Sequence, residues 1–510
     1  MAVRVATGGE VDPVLARRLL YRGQFVLGPR FVEELDGWQR HTLGPGLLLT
    51  AHPDLEVTTL GSERRWLALV GYMLDPLDPA ATNADVLASL MEALTAGQDL
   101  FRATARFGGR WILINADGPR IRLFHDAVGV RQVYYTEVSR VGALWCASQP
   151  GLLGDTLHLQ PHAEALAIIS SIDWPDGEHR LPGASSPFVG VRRLLPNHYL
   201  DLAGGTSHRY WPTQRLPRVA FADAVESSAE MVRALMESAV RRFPLGISIT
   251  AGRDSRLVLA AARRIAHEAS YVTVAKPTQP SWDVDVPARL LPKLGLPHEV
   301  IPWPDQVDEE FARVFRRNIT PHQEVWVPEA YAVFLYSRLG TVGVTGSGGE
   351  HTRVRTRKSL FGVDDDDEIT PDRLVSQARM PGHPLALEEL TAWLKDAPKL
   401  GKPGVLDLFR WEGRNWLATA QLTFDIAWKD VFTPFNCRLL LETMQGVDRN
   451  LRCGPRFRLS TAMTRHLWPE VLQEPFPEKG ARTPVITQAR ITRALQLSLG
   501  LVRKKVARLR

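Results

Sequence analysis

Apolar residues along the chain follow two different periods. In the first 200 or so residues they come in short runs of strand type, at 24–27, 46–50 and 66–70. Residues 83–94 break this pattern: Val86, Leu87, Leu90, Met91 and Leu94 recur at helical spacing behind Asn83, a candidate N-cap. A run at 107–114, a turn at 116–119 and a run at 121–124 predict strand, turn and strand, with a further strand over 132–136. From 222 the period lengthens. Residues 222–242 predict one long helix buried along Ala224, Val225, Met231, Val232, Leu235 and Met236. A strand is expected at 269–274 and a turn and strand over 295–301, around a helix at 283–294 that Pro287 and Pro292 should confine or kink. Alternating strands and helices imply a parallel sheet, with ligands at the carboxyl ends of its strands. Residues 371–403 read as helical and are expected to shape one side of a cleft; 406–447 read as helical apart from a break at 433–436.

The stretch 246–262 combines these signals with chemistry. Ile247, Ser248, Ile249 and Thr250 form a β-branched run, Ala251 to Ser255 a tight turn, and the residues from Leu257 a helix. The first amides of a helix lack internal partners and attract anions. Gly252 lets backbone approach a phosphate, Thr250 and Ser255 add hydroxyls, and Asp254 can hold a magnesium ion. An ordinary strand–helix junction capped by Asp254 or Ser255 fits the same residues.

Composition narrows the class. At 510 residues the chain exceeds one ordinary core, and 45% hydrophobic with 23% charged residues reads as globular. A net charge of +6 suits anionic ligands but is weak evidence for nucleic acid. Cys146, Cys437 and Cys453 are too few and too scattered for a disulfide framework or a zinc site, which points to a reducing, cytoplasmic setting. No secretory signal or membrane-spanning run is evident.

Two glycine loops carry a resemblance to the asparagine synthetase superfamily. Thr250-Ala251-Gly252-Arg253-Asp254-Ser255 resembles its pyrophosphate loop S-G-G-x-D-S, with Thr for the first Ser and Ala for the first Gly. Thr345-Gly346-Ser347-Gly348-Gly349-Glu350 resembles S-G-x-G-x-D-E, with Glu350 at the Asp position. Upstream, Asp126, Gly129, Tyr134, Tyr135 and Ala147-Ser148 resemble landmarks of the family's glutaminase-like domain, and 189–198 its closing segment. The resemblance implies an α/β protein of two domains. Residues 1–210 would be an Ntn-hydrolase-like αββα sandwich, and 216–510 an adenine-nucleotide-hydrolase-like parallel-sheet domain with a PP-loop. It implies ATP and Mg2+ as cofactors, with Ser248, Thr250 to Ser255 and Thr345 to Gly348 around the nucleotide and Asp254 and Glu350 on the metal. Lys479 would stabilise charge from a C-terminal loop, and Asp283 falls in register with a family helix. Pro434 and Phe435 resemble a cleft-lining segment; Glu412, on the helix before it, is a weaker candidate acid or base. β-Lactam synthetase relatives carry a Tyr at the position of Ser347, which argues against β-lactam closure.

The implied activity is an ATP-dependent ligase that adenylates a small-molecule or peptide carboxylate and joins it to an amine. An ammonia-dependent amidotransferase, a non-catalytic scaffold and an enzyme acting on RNA are the rivals, although no RNA module is recognisable. A homodimer is compatible with the sequence, which fixes no oligomeric state. The acidic run 364–368 and the basic tail ending in Arg510 read as solvated segments. Working glutaminases of this family use an N-terminal Cys as nucleophile; Ala2 stands there instead. Purified protein is therefore expected to release no glutamate from glutamine above background in a coupled glutamate assay.

Overall fold

Two ten-residue strands, Arg65–Leu74 and Gly108–Asp117, pair antiparallel along their whole length and form the centre of a six-stranded sheet. Their side chains alternate between two buried faces, so almost every position is apolar. Thr206–Arg209, His198–Asp201 and Arg120–His125 complete the sheet on one side and Val57–Ser62 on the other. A second six-stranded antiparallel sheet runs in the order Val191–Arg193, Tyr134–Thr136, Cys146–Ala147, Phe25–Gly28, Leu47–Ala51, Gln39–Gly44. Ala68, Val70, Ile112 and Ile114 of the first sheet share a core with Phe25, Leu27, Leu49 and Ala51 of the second. On the outer faces, Leu67 and Leu69 meet Val86 and Leu87 of the helix Asn83–Thr95, and Val26 and Ala147 meet Leu152 and Leu153 of the helix Pro150–Leu157. Helix, sheet, sheet and helix are thus stacked in layers.

This computed structural model describes residues 11–171, 180–321, 323–337, 340–354, 368–413 and 422–477. Ala2, the acidic residues 364–367, Lys479 and the basic tail lie outside them.

The helix Phe221–Arg242 leads from the antiparallel sheets into a five-stranded parallel sheet. Its order is Glu299–Pro302, Ala269–Ala275, Leu245–Ser248, Val342–Val344, Asp430–Phe432. All four pairings are parallel. Chain order runs outward from Leu245–Ser248 in one direction and then from Val342–Val344 in the other, so the order reverses between these two strands. The chain is therefore mixed α/β, with antiparallel and parallel sheets. No helix among the described residues is long and apolar enough to cross a membrane. Cys146, Cys437 and Cys453 are all free.

Several sequence expectations need correcting. Thr82, not Asn83, caps the helix Asn83–Thr95, in a reciprocal pair with Asp85. Asn83 is buried and its side chain bonds Met73 N, Gly71 O and Glu56 instead. The stretch 406–447 contains a strand, Asp430–Phe432, between its helices. Three residues are too few to show a period, and their strand identity comes from pairing with Val342–Val344. The helices Pro371–Ala378 and Pro384–Asp396 pack against Ala165, Ile168 and Leu181. Trp282–Lys293 is a single helix through both prolines.

Buried charge joins the antiparallel sheets to the parallel one. Arg110, the third residue of its strand, donates from Nη1 to Asp425 at 2.5 Å and Asp430 at 2.7 Å, and from Nη2 to Asp425 at 2.8 Å. Arg131 reaches Asp430 at 2.7 Å and Gly23 O at 3.0 Å. Burial pushes the Asp425 carboxyl above its usual range. Burial also acts on Asp430, but Arg131 and Arg110 outweigh it and hold that group low. Removing one member of a buried charge network leaves its partners uncompensated. Arg110→Met is expected to cost about 3–5 kcal/mol in urea unfolding, whereas breaking an exposed pair such as Arg313–Glu310 should leave the unfolding midpoint nearly unchanged.

Candidate functional site

The strand order reverses between Leu245–Ser248 and Val342–Val344, and both glycine loops emerge at the carboxyl ends of these strands, where ligands commonly bind in such sheets. Ser248 ends its strand, and Thr250, Ala251 and Gly252 form the bend before the helix Arg253–Ala261. The bend is knitted by its own side chains. Ser255 Oγ accepts from Thr250 N at 3.2 Å and lies 3.0 Å from Thr250 Oγ1, which accepts from Gly252 N at 3.1 Å. Asp283 Oδ1 accepts from Ala251 N at 3.2 Å. Asp283 therefore faces the loop rather than capping its own helix, and burial raises its pKa. Ala251 is not among the non-glycine residues with positive φ, and Gly252 has φ −66°, so Ala in place of Gly strains no backbone here. The first-turn amides of Arg253, Asp254 and Ser255 have no acceptor within their helix.

The second loop packs directly onto the first. A Cβ on Gly346 would lie 2.6 Å from both Asp254 C and Ser255 N, and one on Gly349 would lie 2.7 Å from Asp254 Oδ1. Thr345 N donates to Phe432 O at 2.9 Å, and Thr433 donates its hydroxyl to Ser347 O, so the neighbouring strand end braces this loop. Gly348 takes φ +97°, in the left-handed region, and its amide donates to Glu350 Oε2 at 2.8 Å. Phe435 stands 3.3 Å from the Cβ position of Gly349 and is buried in the hydrophobic core beneath the loop, where the sequence led us to expect a cleft-lining residue. Asn436 turns the other way, bonding Gly109 O at 2.7 Å and Val128 N at 3.1 Å.

Asp254 and Glu350 thus approach one another from adjacent strand ends. Burial lifts the Asp254 carboxyl from 3.8 to about 6, with Glu350 adding to the rise and Arg353 and Arg253 opposing it. Asp254 Oδ2 is ion-paired with Arg353, a residue that no sequence motif singled out. The Arg353 backbone is fixed from behind: Arg410 donates to Arg353 O at 2.6 Å and Arg452 to Thr352 O at 3.0 Å. Two carboxylates are donors of the type a hard cation takes, and in this respect the residues fit magnesium. A cation here would compete with Arg353 for Asp254 and with the Gly348 amide for Glu350. Among the described residues no group of three or more His, Cys, Asp or Glu side chains forms a metal cluster.

Arg253 and Arg256 hold the C-terminal segment. Arg253 donates to Thr461 Oγ1 at 3.0 Å and Pro455 O at 3.3 Å, and Arg256 to Glu474 O at 2.5 Å and Pro475 O at 3.1 Å. Their guanidinium groups lie 3.8 and 3.7 Å from the Phe476 ring centre. Burial lowers both arginines, Arg256 to about 10. Arg253 thus acts as a clasp in this structure, and it brings the chain to within three residues of Lys479, which lies outside the described residues.

Glu412 is corrected from acid or base to anchor. Its side chain is 0% exposed and accepts from Arg209 at 2.6 and 2.9 Å, Asn197 at 2.7 Å and Trp393 at 2.8 Å. Four donors saturate the carboxylate and leave no lone pair for proton transfer.

Below about pH 4 Asp254 is protonated both folded and unfolded, so its burial costs nothing; the cost of ionising it in the fold appears as pH rises towards 6. A carbon-detected NMR titration is expected to place Asp254 near 6. Glu350→Gln should move that midpoint down and Arg353→Met should move it up, because the two neighbours act with opposite sign.

No family model matches the chain, and no curated protein matches it. Among solved structures, a glutamine phosphoribosylpyrophosphate (PRPP) amidotransferase from B. subtilis, complexed with ADP and GMP, is similar over 67% of this chain and 80% of that one, a weak likeness at 12% identity and a TM-score of 0.20.

Proposed function

We propose that this protein is an ATP- and magnesium-dependent ligase that forms an amide bond. The observation that carries the reading is the contact between the two glycine loops, with Gly346 on the Asp254–Ser255 backbone and Gly349 on the Asp254 carboxylate. That contact lies where the order of a parallel sheet reverses, the usual ligand position in such sheets. The helix starting at Arg253 directs its first amides there, a match for phosphate oxygens. In this reading Thr250 to Ser255 and Thr345 to Gly348 cradle the pyrophosphate of ATP. A carboxylate attacks the α-phosphate, pyrophosphate leaves, and an amine then displaces AMP from the acyl adenylate. Asp254 and Glu350 would hold the magnesium ion, which neutralises phosphate charge when bound. Arg353, displaced from Asp254, would be released towards the leaving pyrophosphate, and Lys479 would act on the α-phosphate side. These contributions are positioning and charge stabilisation. The layered antiparallel half would be a glutaminase-like scaffold without its thiol.

One set of contacts favours a second reading, a non-catalytic scaffold. The amides of Thr250, Ala251 and Gly252 are already taken by Ser255, Asp283 and Thr250, and Asp254 by Arg353. Calorimetry with ATP and magnesium separates the two: the ligase binds the nucleotide and the scaffold does not. A pyrophosphate-release screen against carboxylate and amine panels is expected to find a substrate-dependent signal. Asp254→Ala should lower it by about 100-fold or more; release equal to wild type in that variant refutes the metal role.

A further inference from the structure

A second cavity, of about 560 Å3, lies behind the glycine loops, under the connecting segment of residues 211–219 and against the helices Lys402–Glu412 and Arg438–Gln445. That volume is in the range of small-molecule sites. The connection is tied by Val219 N, which donates to Gly446 O at 3.0 Å, and the exposed Arg215 side chain passes over Gly401, its guanidinium 2.4 Å from where a Cβ would stand. Gly401 has φ +73°, so glycine is favoured there on two grounds.

Its charge is unbalanced. The lining holds Arg215, Arg218, Arg449 and Arg452 against Asp407 and Asp448, four positive charges against two, a net of +2. Arg452 is committed to Asp407 at 3.0 Å and to Val447 O and Thr352 O, each at 3.0 Å. Arg449 leans on the same Asp407 at 3.6 Å, and Asp448 caps the next helix through Asn450 N. Arg215 and Arg218 have neither a carboxylate partner nor a hydrogen bond among the described residues. Between them and the Asp407 floor, the walls are apolar: Trp211, Leu216, Val219 and Leu408.

We propose that this cavity binds a small organic anion, an apolar or aromatic body carrying a phosphate or carboxylate group, with Arg215 and Arg218 on the anionic end. Guanidinium forks match both oxyanions, and the indole and leucines cover the body. The site does not depend on the ligase reading, and its ligand is not the nucleotide of the glycine loops. It shares a wall with them, since Arg452 and Gln445 hold the carbonyls of Thr352 and His351 just before Arg353. An anion here sits against the backbone that supports the Arg353–Asp254 pair.

The test is isothermal titration of the full chain with phenyl phosphate and, separately, benzoate, which distinguishes the two anionic groups. The expected result is saturable binding of at least one probe. The double variant R215Q/R218Q should weaken it by about tenfold or more and R215K/R218K by less, since lysine keeps the charge but not the fork. Circular dichroism melts of both variants, expected to match wild type, show that folding is not the cause. No saturable binding of either probe to wild type overturns the proposal. So does binding that R215Q/R218Q leaves unchanged, which would place the probe elsewhere, for example at the glycine loops.

Discussion

The close approach of Gly346 to the first turn of the helix Arg253–Ala261 sets the geometry on which the cleft depends. Backbone meets backbone there, with a Cβ position only 2.6 Å from Ser255 N. Such contact is open only to glycine, and it draws two loops from neighbouring strands into one site. The sheet supplies the reason they are neighbours. Its order reverses between Leu245–Ser248 and Val342–Val344, which pair directly, so the loops that leave their carboxyl ends lie side by side.

Charge is concentrated by that contact. Asp254 and Glu350 approach within a largely buried gap, and the Asp254 pKa rises to about 6 despite two nearby arginines. Arg353 is the counter-ion of Asp254. Burying like charges together is costly unless a partner compensates, and such sites are where function commonly resides. Arg253 and Arg256, on the same helix, spend their charge on Phe476 and on the carbonyls of Pro455, Glu474 and Pro475. One short helix thus orders both the bend and the chain leading to Lys479.

The short strand Asp430–Phe432 ties this site to the rest of the molecule. Val431 and Phe432 complete the parallel sheet, and Asp430 reaches Arg110 and Arg131 of the antiparallel half. Thr433, Phe435 and Asn436, just beyond, brace the second glycine loop, pack in the core beneath it and bond the antiparallel half respectively. A displacement of this segment would be felt at both places.

Periodicity in the sequence was enough for the long elements. The helix expected over 222–242 is Phe221–Arg242, and the strands expected near 107–114, 121–124 and 269–274 form with shifts of one to three residues. Local motifs also marked both glycine loops, because glycine and hydroxyl spacing is a property of a few adjacent residues. Asp430–Phe432 was missed because its strand character comes only from pairing. Glu412 was misread because its four donors, from 19 to 215 residues away in sequence, are invisible along the chain. Arg353, Arg256 and Asp283 acquired their places in the same way: a charged side chain has many available partners, and only the fold chooses among them. The sequence by itself determined the long periodic elements and which residues can bind an anion. The tertiary structure alone decided which charges meet, since burial and long-range pairing have no local signature.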